Sequence, residues 1–257
     1  FRTAGIEMSE TSSRSAWAWS TNASAARLLA NQAMDLLANN DMSLATQVSV
    51  LNASREVHRS PTFLSHRLHI TERAIGLSNP TAAIESRLLR SIDLYESGSN
   101  QLAISELIIA GEAAKRYGDA WGQWRINLRW AANALSKANI EEAWELAAQA
   151  LAFGEQSGEP GRIPALAAQQ CAVAIERKFP HEQLWVFSLD PALTSHGPSR
   201  ALAALACVSA GDFQQAADYL AKSLDVFDDV DRESSWLLTV TTLIEVAAAI
   251  EDQHFAE

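Results

Sequence analysis

Ala210-Gly211-Asp212-Phe213-Gln214-Gln215-Ala216-Ala217-Asp218-Tyr219-Leu220 is the stretch from which the fold can be read. Gly211 ends one helix, because glycine enters the left-handed conformation of a helix C-terminus without steric cost. Asp212 caps the helix that follows. Ala216 sits early in that second helix, where two antiparallel backbones can approach only if the side chain is small.

The same punctuation recurs upstream at Ser97-Gly98-Ser99, Tyr117-Gly118-Asp119, Lys137-Ala138-Asn139 and Ser157-Gly158-Glu159-Pro160. Between the turns, apolar residues recur at helical spacing: Leu88, Leu89, Ile92 and Tyr95, then Leu102, Leu107, Ile108 and Tyr117. The pattern predicts helices at roughly 22–39, 41–58, 61–77, 80–97, 100–117, 120–138, 140–157, 160–178, 182–193, 198–210, 212–229 and 234–250.

These helices pair, and the pairs repeat. Ala103, Ala143 and Ala216 take the small position of the second helix, followed two turns on by Ala110, Ala150 and Ser223. Ser91, Ala131 and Ala204 are their counterparts in the first helix. The step from Ala103 to Ala143 sets the repeat period, about 40 residues, within the range of known helical-repeat arrays. The interval from Ala143 to Ala216 is nearly twice as long and leaves room for a degenerate unit, with Cys171 at the small position and Asp190-Pro191 closing a stunted second helix. The expected architecture is all-α: a right-handed solenoid of about six antiparallel helix pairs over 22–257, after a poorly defined segment at 1–21.

Composition agrees. Of 257 residues, 48 % are hydrophobic and 20 % charged, and 11 Gly with 7 Pro are too few for an all-β chain. The net charge of −11, with no Lys/Arg run, argues against direct contact with nucleic acid or an anionic membrane surface. No membrane-length apolar run or signal peptide is visible, so a cytoplasmic protein is expected, with Cys171 and Cys207 as buried free thiols. The start at Phe1 reads as a piece of something longer.

Gly-Asp-aromatic followed by Ala, at Gly211-Asp212-Phe213 and Ala216, resembles the inter-helix turn of a tetratricopeptide (TPR) repeat. Asn139-Ile140-Glu141-Glu142-Ala143 is a looser copy, and the period is longer than that family's usual one. A narrower resemblance rests on the order of units, on Gly154-Glu155-Gln156-Ser157-Gly158-Glu159-Pro160, and on the ending from Ser235-Trp236-Leu237 to Glu245-Val246-Ala247. It is similar to the helical-repeat region of bacterial STAND-type regulators, which include large LuxR-type and MalT-like transcription factors and multidomain class III nucleotide cyclases. The resemblance implies a regulatory segment that receives a signal and restrains or releases domains elsewhere in a longer protein.

No phosphate-binding Gly-rich loop, Gly-x-Ser-x-Gly elbow, His-Glu-x-x-His or Cys-x-x-Cys occurs, so neither catalytic residues nor a cofactor are assigned. His66, His69 and Glu72 have helical spacing but no marked third strong ligand, and read as surface or interface residues. Trp121, Trp124, Trp130 and Trp144 either line a ligand pocket or fill space between helices. Asp225, Asp228, Asp229, Asp231 and Glu233 read as a solvated helix end.

Arg125 and Arg129 lie one turn apart and are expected to point to the inner face, with Asn52, Arg55, Tyr95 and Gln169 at comparable places in neighbouring units. Such a strip could meet a carboxylate or phosphate; the alternative is a salt bridge to the next unit. Two functions follow: a protein-interaction scaffold engaging a partner or domains of its own parent chain, or a sensor holding a small-molecule or peptide inducer. A long apolar stripe from Trp236 to Ile250, with a turn expected at Glu251-Asp252 and Ala256 at the next small position, predicts association through the C-terminal face.

Overall fold

A computed structural model describes residues 42–54, 61–159, 162–178, 197–224 and 236–256. The described residues form ten helices and no strand. They are α1 (Leu44–Ser54), α2 (Pro61–Ala74), α3 (Pro80–Glu96), α4 (Asn100–Tyr117), α5 (Ala120–Ser136), α6 (Ile140–Ser157), α7 (Arg162–Arg177), α8 (Gly197–Ala210), α9 (Phe213–Leu224) and α10 (Trp236–Ala256). The expected helices at 22–39 and 182–193, and the acidic run from Asp225 to Glu233, lie outside the described residues.

The turns are built to one plan. Left-handed residues stand at even intervals at Gly98, Gly118, Ala138, Gly158 and Lys178, and then at Gly211. At Gly98, Gly118, Ala138, Gly158 and Gly211 the turn closes with the same pair of hydrogen bonds. At Gly118, for example, Gly118 N donates to Lys115 O at 3.3 Å and Asp119 N to Ala114 O at 2.9 Å. At Ala138 the pair is Ala138 N to Leu135 O and Asn139 N to Ala134 O, each 2.9 Å. Two successive turns make one repeat period. Asp119 Oδ1 then accepts from Gly122 N at 2.9 Å and Asp212 Oδ1 from Gln215 N at 3.1 Å, capping α5 and α9.

The small positions are buried as the repeat demands. Ser91, Ala131, Cys171 and Ala204 in first helices, and Ala103, Ala110, Ala143, Ala150, Ala216 and Ser223 in second helices, are all at most 2 % exposed. The serines keep their hydroxyls satisfied along their own helices, Ser91 on Leu88 O and Ser223 on Tyr219 O. The large apolar residues of α4 do not follow the expected stripe. Leu107 is buried, but Leu102, Ile108 and Tyr117 are exposed, and the buried face is Ala103, Leu107, Ala110 and Ala114. Close approach to α3 selects alanine on that face and leaves the larger side chains outside.

Two compact units result. The first holds α1 to α4, α5 through Asn127, and the end of α6 from Ala152. Within it α1 packs on α2 and α3, α2 on α3, and α3 on α4. A core of Val48, Val50, Leu51, Ile70, Ala74 and Leu89 joins the first three of these helices. The second unit holds the remainder of α5 and α6 and all of α7 to α10. Its core is rich in small residues, including Ala131, Ala167, Cys171, Ala203, Ala204, Cys207 and Ala216, with Tyr219 and Val246.

α10 corrects the expected C-terminal turn. Glu251 and Asp252 are helical and the helix runs on to Ala256, so Ala256 shares a helix with Trp236 and cannot take a second-helix position. None of Glu251 to Ala256 is Gly or Pro, and no local signal stops the helix. The helix packs on both α8 and α9, burying Thr239, Thr242, Leu243 and Val246 and leaving Ile244 63 % exposed.

Candidate functional site

Three first helices of the first unit meet at Glu85. It lies on α3 and receives hydrogen bonds from the Ser49 and Asn52 side chains of α1. From α5, the positive charge of Arg125 and the negative charge of Asp119 act on it. The residue keeps some exposure along its length, but its carboxyl group is enclosed by protein. Burial pushes that carboxyl up from 4.5 to about 7, and Asp119 adds to the rise. Arg125, Asn52 and Ser49 oppose the shift without cancelling it.

α5 is held close to α3 here. A Cβ on Gly122 would stand 3.0 Å from Ile84 Cγ2 and 2.8 Å from Asp119 Oδ2, so a larger residue here would force these two side chains to shift. Asp119 Oδ2 is buried without a hydrogen-bond partner, although Oδ1 caps the helix. Next to this junction the Arg125 guanidinium lies over the rings of Trp121 and Trp124, 5.3 and 5.8 Å from their centroids. Trp121 Nε1 donates to Glu159 Oε2 at 3.2 Å. Trp124 is 6 % exposed, and its Nε1 is buried without an acceptor. These two tryptophans therefore pack against the Arg125 cation as well as filling space between helices.

Of the residues expected at the inner face, Asn52 and Arg125 are brought together through Glu85. Arg55 lies outside the described residues. The repeat step that relates Ser91 to Ala131 relates Glu85, not Tyr95, to Arg125. Tyr95 stands nearly three turns further along α3, partly buried, with its hydroxyl lacking a hydrogen-bond partner. In the second unit, Arg129 is partly buried on α5, and Gln169 Nε2 of α7 donates to Leu128 O at 2.9 Å. Gln169 Oε1 is buried without a partner. Gln169 does fall one repeat step after Arg129.

Ser49, Glu85 and Asp119 were not singled out by sequence reasoning. The signal was available for Glu85: the repeat step places an acid in one unit at the position where the next carries Arg125.

His66, His69 and Glu72 all face solvent on α2. Among the described residues no three His, Cys, Asp or Glu side chains gather as a metal ion requires. No described helix is long and apolar enough to cross a membrane. Cys171 and Cys207 are buried free thiols; burial, and secondarily Cys207, hold the Cys171 thiol far above the usual cysteine range. No protein-family model, curated protein or solved structure matches the chain.

Proposed function

We propose that this chain is a non-catalytic, TPR-like helical-repeat segment of a bacterial signalling or transcriptional regulator. In this reading the helix pairs form a right-handed solenoid of about six units in the cytoplasm. It docks a protein or peptide partner, or other domains of its parent chain, and so sets their activity. The observation that carries it is the convergence of α1, α3 and α5 on one polar and aromatic cluster: Asn52, Glu85 and Arg125 beside Trp121 and Trp124. A buried carboxyl that titrates near neutrality is costly to keep, and such groups concentrate at functional sites. The repeated left-handed turns support the solenoid reading.

A second reading, a sensor for a small-molecule or peptide inducer, is favoured by two buried polar atoms without partners, Trp124 Nε1 and Asp119 Oδ2.

The deciding experiment is Arg125→Glu with Arg129→Glu in the longer protein that carries this segment. Unchanged helicity with loss of the regulatory response supports the proposal; a full response overturns it. Thermal-shift screening of the chain against small carboxylates, phosphates and peptides separates the two readings. A ligand-dependent rise in Tm that Arg125→Glu abolishes selects the sensor.

A further inference from the structure

Large apolar side chains left in solvent gather on one helix. Leu102, Ile108, Ile109 and Tyr117 of α4 are between 44 and 59 % exposed, and among the other described residues only Phe63 and Ile244 join them. α4 buries Ala103, Leu107, Ala110 and Ala114 against α3, and at Gly111 it meets α5, where a Cβ would lie 3.6 Å from Ile126 Cγ2. The opposite face carries two straight rows, because seven residues are close to two helical turns. Leu102, Ile109 and Arg116 make one row, and Gln101, Ile108 and Lys115 the other, with Ser105 and Glu112 between them; all are exposed.

The repeat does not require these residues. One repeat step later, on α6, the positions of Leu102, Ile108, Ile109, Lys115 and Arg116 are held by Glu142, Ala148, Gln149, Glu155 and Gln156, all exposed. On α2 the outer face shows Ser65, His69 and Glu72, and on α9 it shows Gln214, Asp218 and Lys222. A solvated polar face thus serves the other second helices, and the apolar rows of α4 are an addition to the pattern.

We propose that the outer face of α4 is a docking surface for an acidic amphipathic helix of a partner protein. Ser105, Ile108, Ile109 and Glu112 stand at i, i+3, i+4 and i+7, the four corners of a hole into which a facing helix lowers one apolar side chain. The isoleucines are its walls. Ser105 keeps one end low, and its hydroxyl donates to Gln101 O of its own helix at 3.0 Å, so it asks nothing of the occupant. Two turns on from the isoleucines, Lys115 and Arg116 are exposed, and neither enters an ion pair among the described residues. An apolar stripe ending in two cations, on a chain of net charge −11, selects an occupant with carboxylates at one end. The antiparallel direction fits best: the occupant's acidic first turn then meets the last turn of α4, and each charge lies at the favourable end of its own helix dipole. The negative total, and Glu112 in the middle of the face, oppose an anionic membrane surface. This surface shares no residue with the α1, α3 and α5 cluster, so either can fail without the other.

The test is an NMR titration of the full chain with a helical peptide of 18 residues, the length of α4, with glutamates in its first turn and a leucine stripe at helical spacing after it. The acidic peptide should bind, with shifts centred on α4. The same peptide with lysines in place of the glutamates should bind about tenfold more weakly, a gap that closes with added salt. The triple variant Leu102→Glu, Ile108→Ala and Ile109→Gln, which gives α4 the residues of α6, should keep its helicity and Tm and lose affinity by about tenfold or more. Lys115→Glu with Arg116→Gln should remove the preference for the acidic peptide. If the triple variant does not fold, Leu102→Ala decides in its place, with weaker binding at an unchanged Tm. No binding of the acidic peptide, equal binding of the basic one, or binding that survives the triple variant would overturn the proposal. So would self-association of the native chain that the triple variant abolishes, which makes a second copy the occupant, or co-sedimentation with phosphatidylcholine–phosphatidylserine vesicles that it abolishes, which makes the face a membrane contact.

Discussion

Arg67 on α2 donates through Nε to Asp93 Oδ1 on α3 at 2.9 Å, and the two residues are only 3 % and 2 % exposed. Arg67 Nη2 also reaches Glu96 Oε2 at 3.0 Å, nearer the surface. Breaking a buried pair from one side typically costs about 3–5 kcal/mol, because the remaining charge is left uncompensated, whereas replacing both partners by apolar residues is often neutral. Arg67→Ala should therefore lower urea stability by about 3 kcal/mol or more. Arg67→Met with Asp93→Leu should recover most of that loss, and a double variant no more stable than the single one would show that the pair does more than balance charge.

Leu102 and Ala103 are adjacent on α4 and should respond against intuition. Leu102 is 59 % exposed, while Ala103 is fully buried where α4 approaches α3. Leu102→Ala should change stability by less than about 0.5 kcal/mol. Ala103→Leu should cost about 1–3 kcal/mol by overpacking. Ala143→Trp, at the same register position one repeat later, should cost at least as much. Thermal unfolding of the three variants checks the register, and a costly Leu102→Ala beside a silent Ala103→Leu would refute it.

Ala138 and Lys178 hold left-handed backbone, with φ of 59° and 53°, at places where other turns carry glycine. A side chain there is strained whatever the space around it. Ala138→Gly and Lys178→Gly should each stabilise by about 0.5–1 kcal/mol. Gly118→Ala should destabilise by about 1 kcal/mol, and purely through the backbone, since a Cβ there would meet nothing within 4 Å. Denaturant midpoints of the three single variants provide the measurement.

Cys171 and Cys207 are wholly buried in the core of the second unit, and burial raises the Cys171 thiol far above its ordinary range. Reactivity follows the thiolate and its access. Neither thiol should react with an aromatic disulfide reagent at pH 8 in the native chain, and both should react promptly in denaturant. Tyr219, pushed up to about 12 chiefly by burial in the same core, should stay protonated in the native chain when an exposed tyrosine ionises, as read by absorbance in alkaline titration.

The helices and the turns between Gly98 and Gly158 were legible because their signals are local. Gly or Asn at the end of a helix, Asp or Asn at the start of the next, and small residues at a fixed offset act over one or two turns of chain. α4 and α6 occupy the spans expected of them, 100–117 and 140–157. Where those local signals were missing the reading slipped. No breaker follows Ile250, and α10 runs on to Ala256. On α4 the apolar stripe pointed to Leu102 and Ile108, which are exposed, while Ala103 and Ala110, marked by the repeat as small positions, are the buried ones.

The sequence by itself determined an all-helical chain, its repeat step and the small residues on which the helices close, since each depends on close neighbours along the chain or on simple periodicity. Only the tertiary structure decided which charges meet. Arg67 and Asp93 come from different helices, and Glu85 and Arg125 stand a full repeat apart. Whether such groups pair, and at what pH they ionise, depends on the water that the surrounding helices remove from them. That desolvation is a property of packing in three dimensions, which composition and spacing along the chain do not contain.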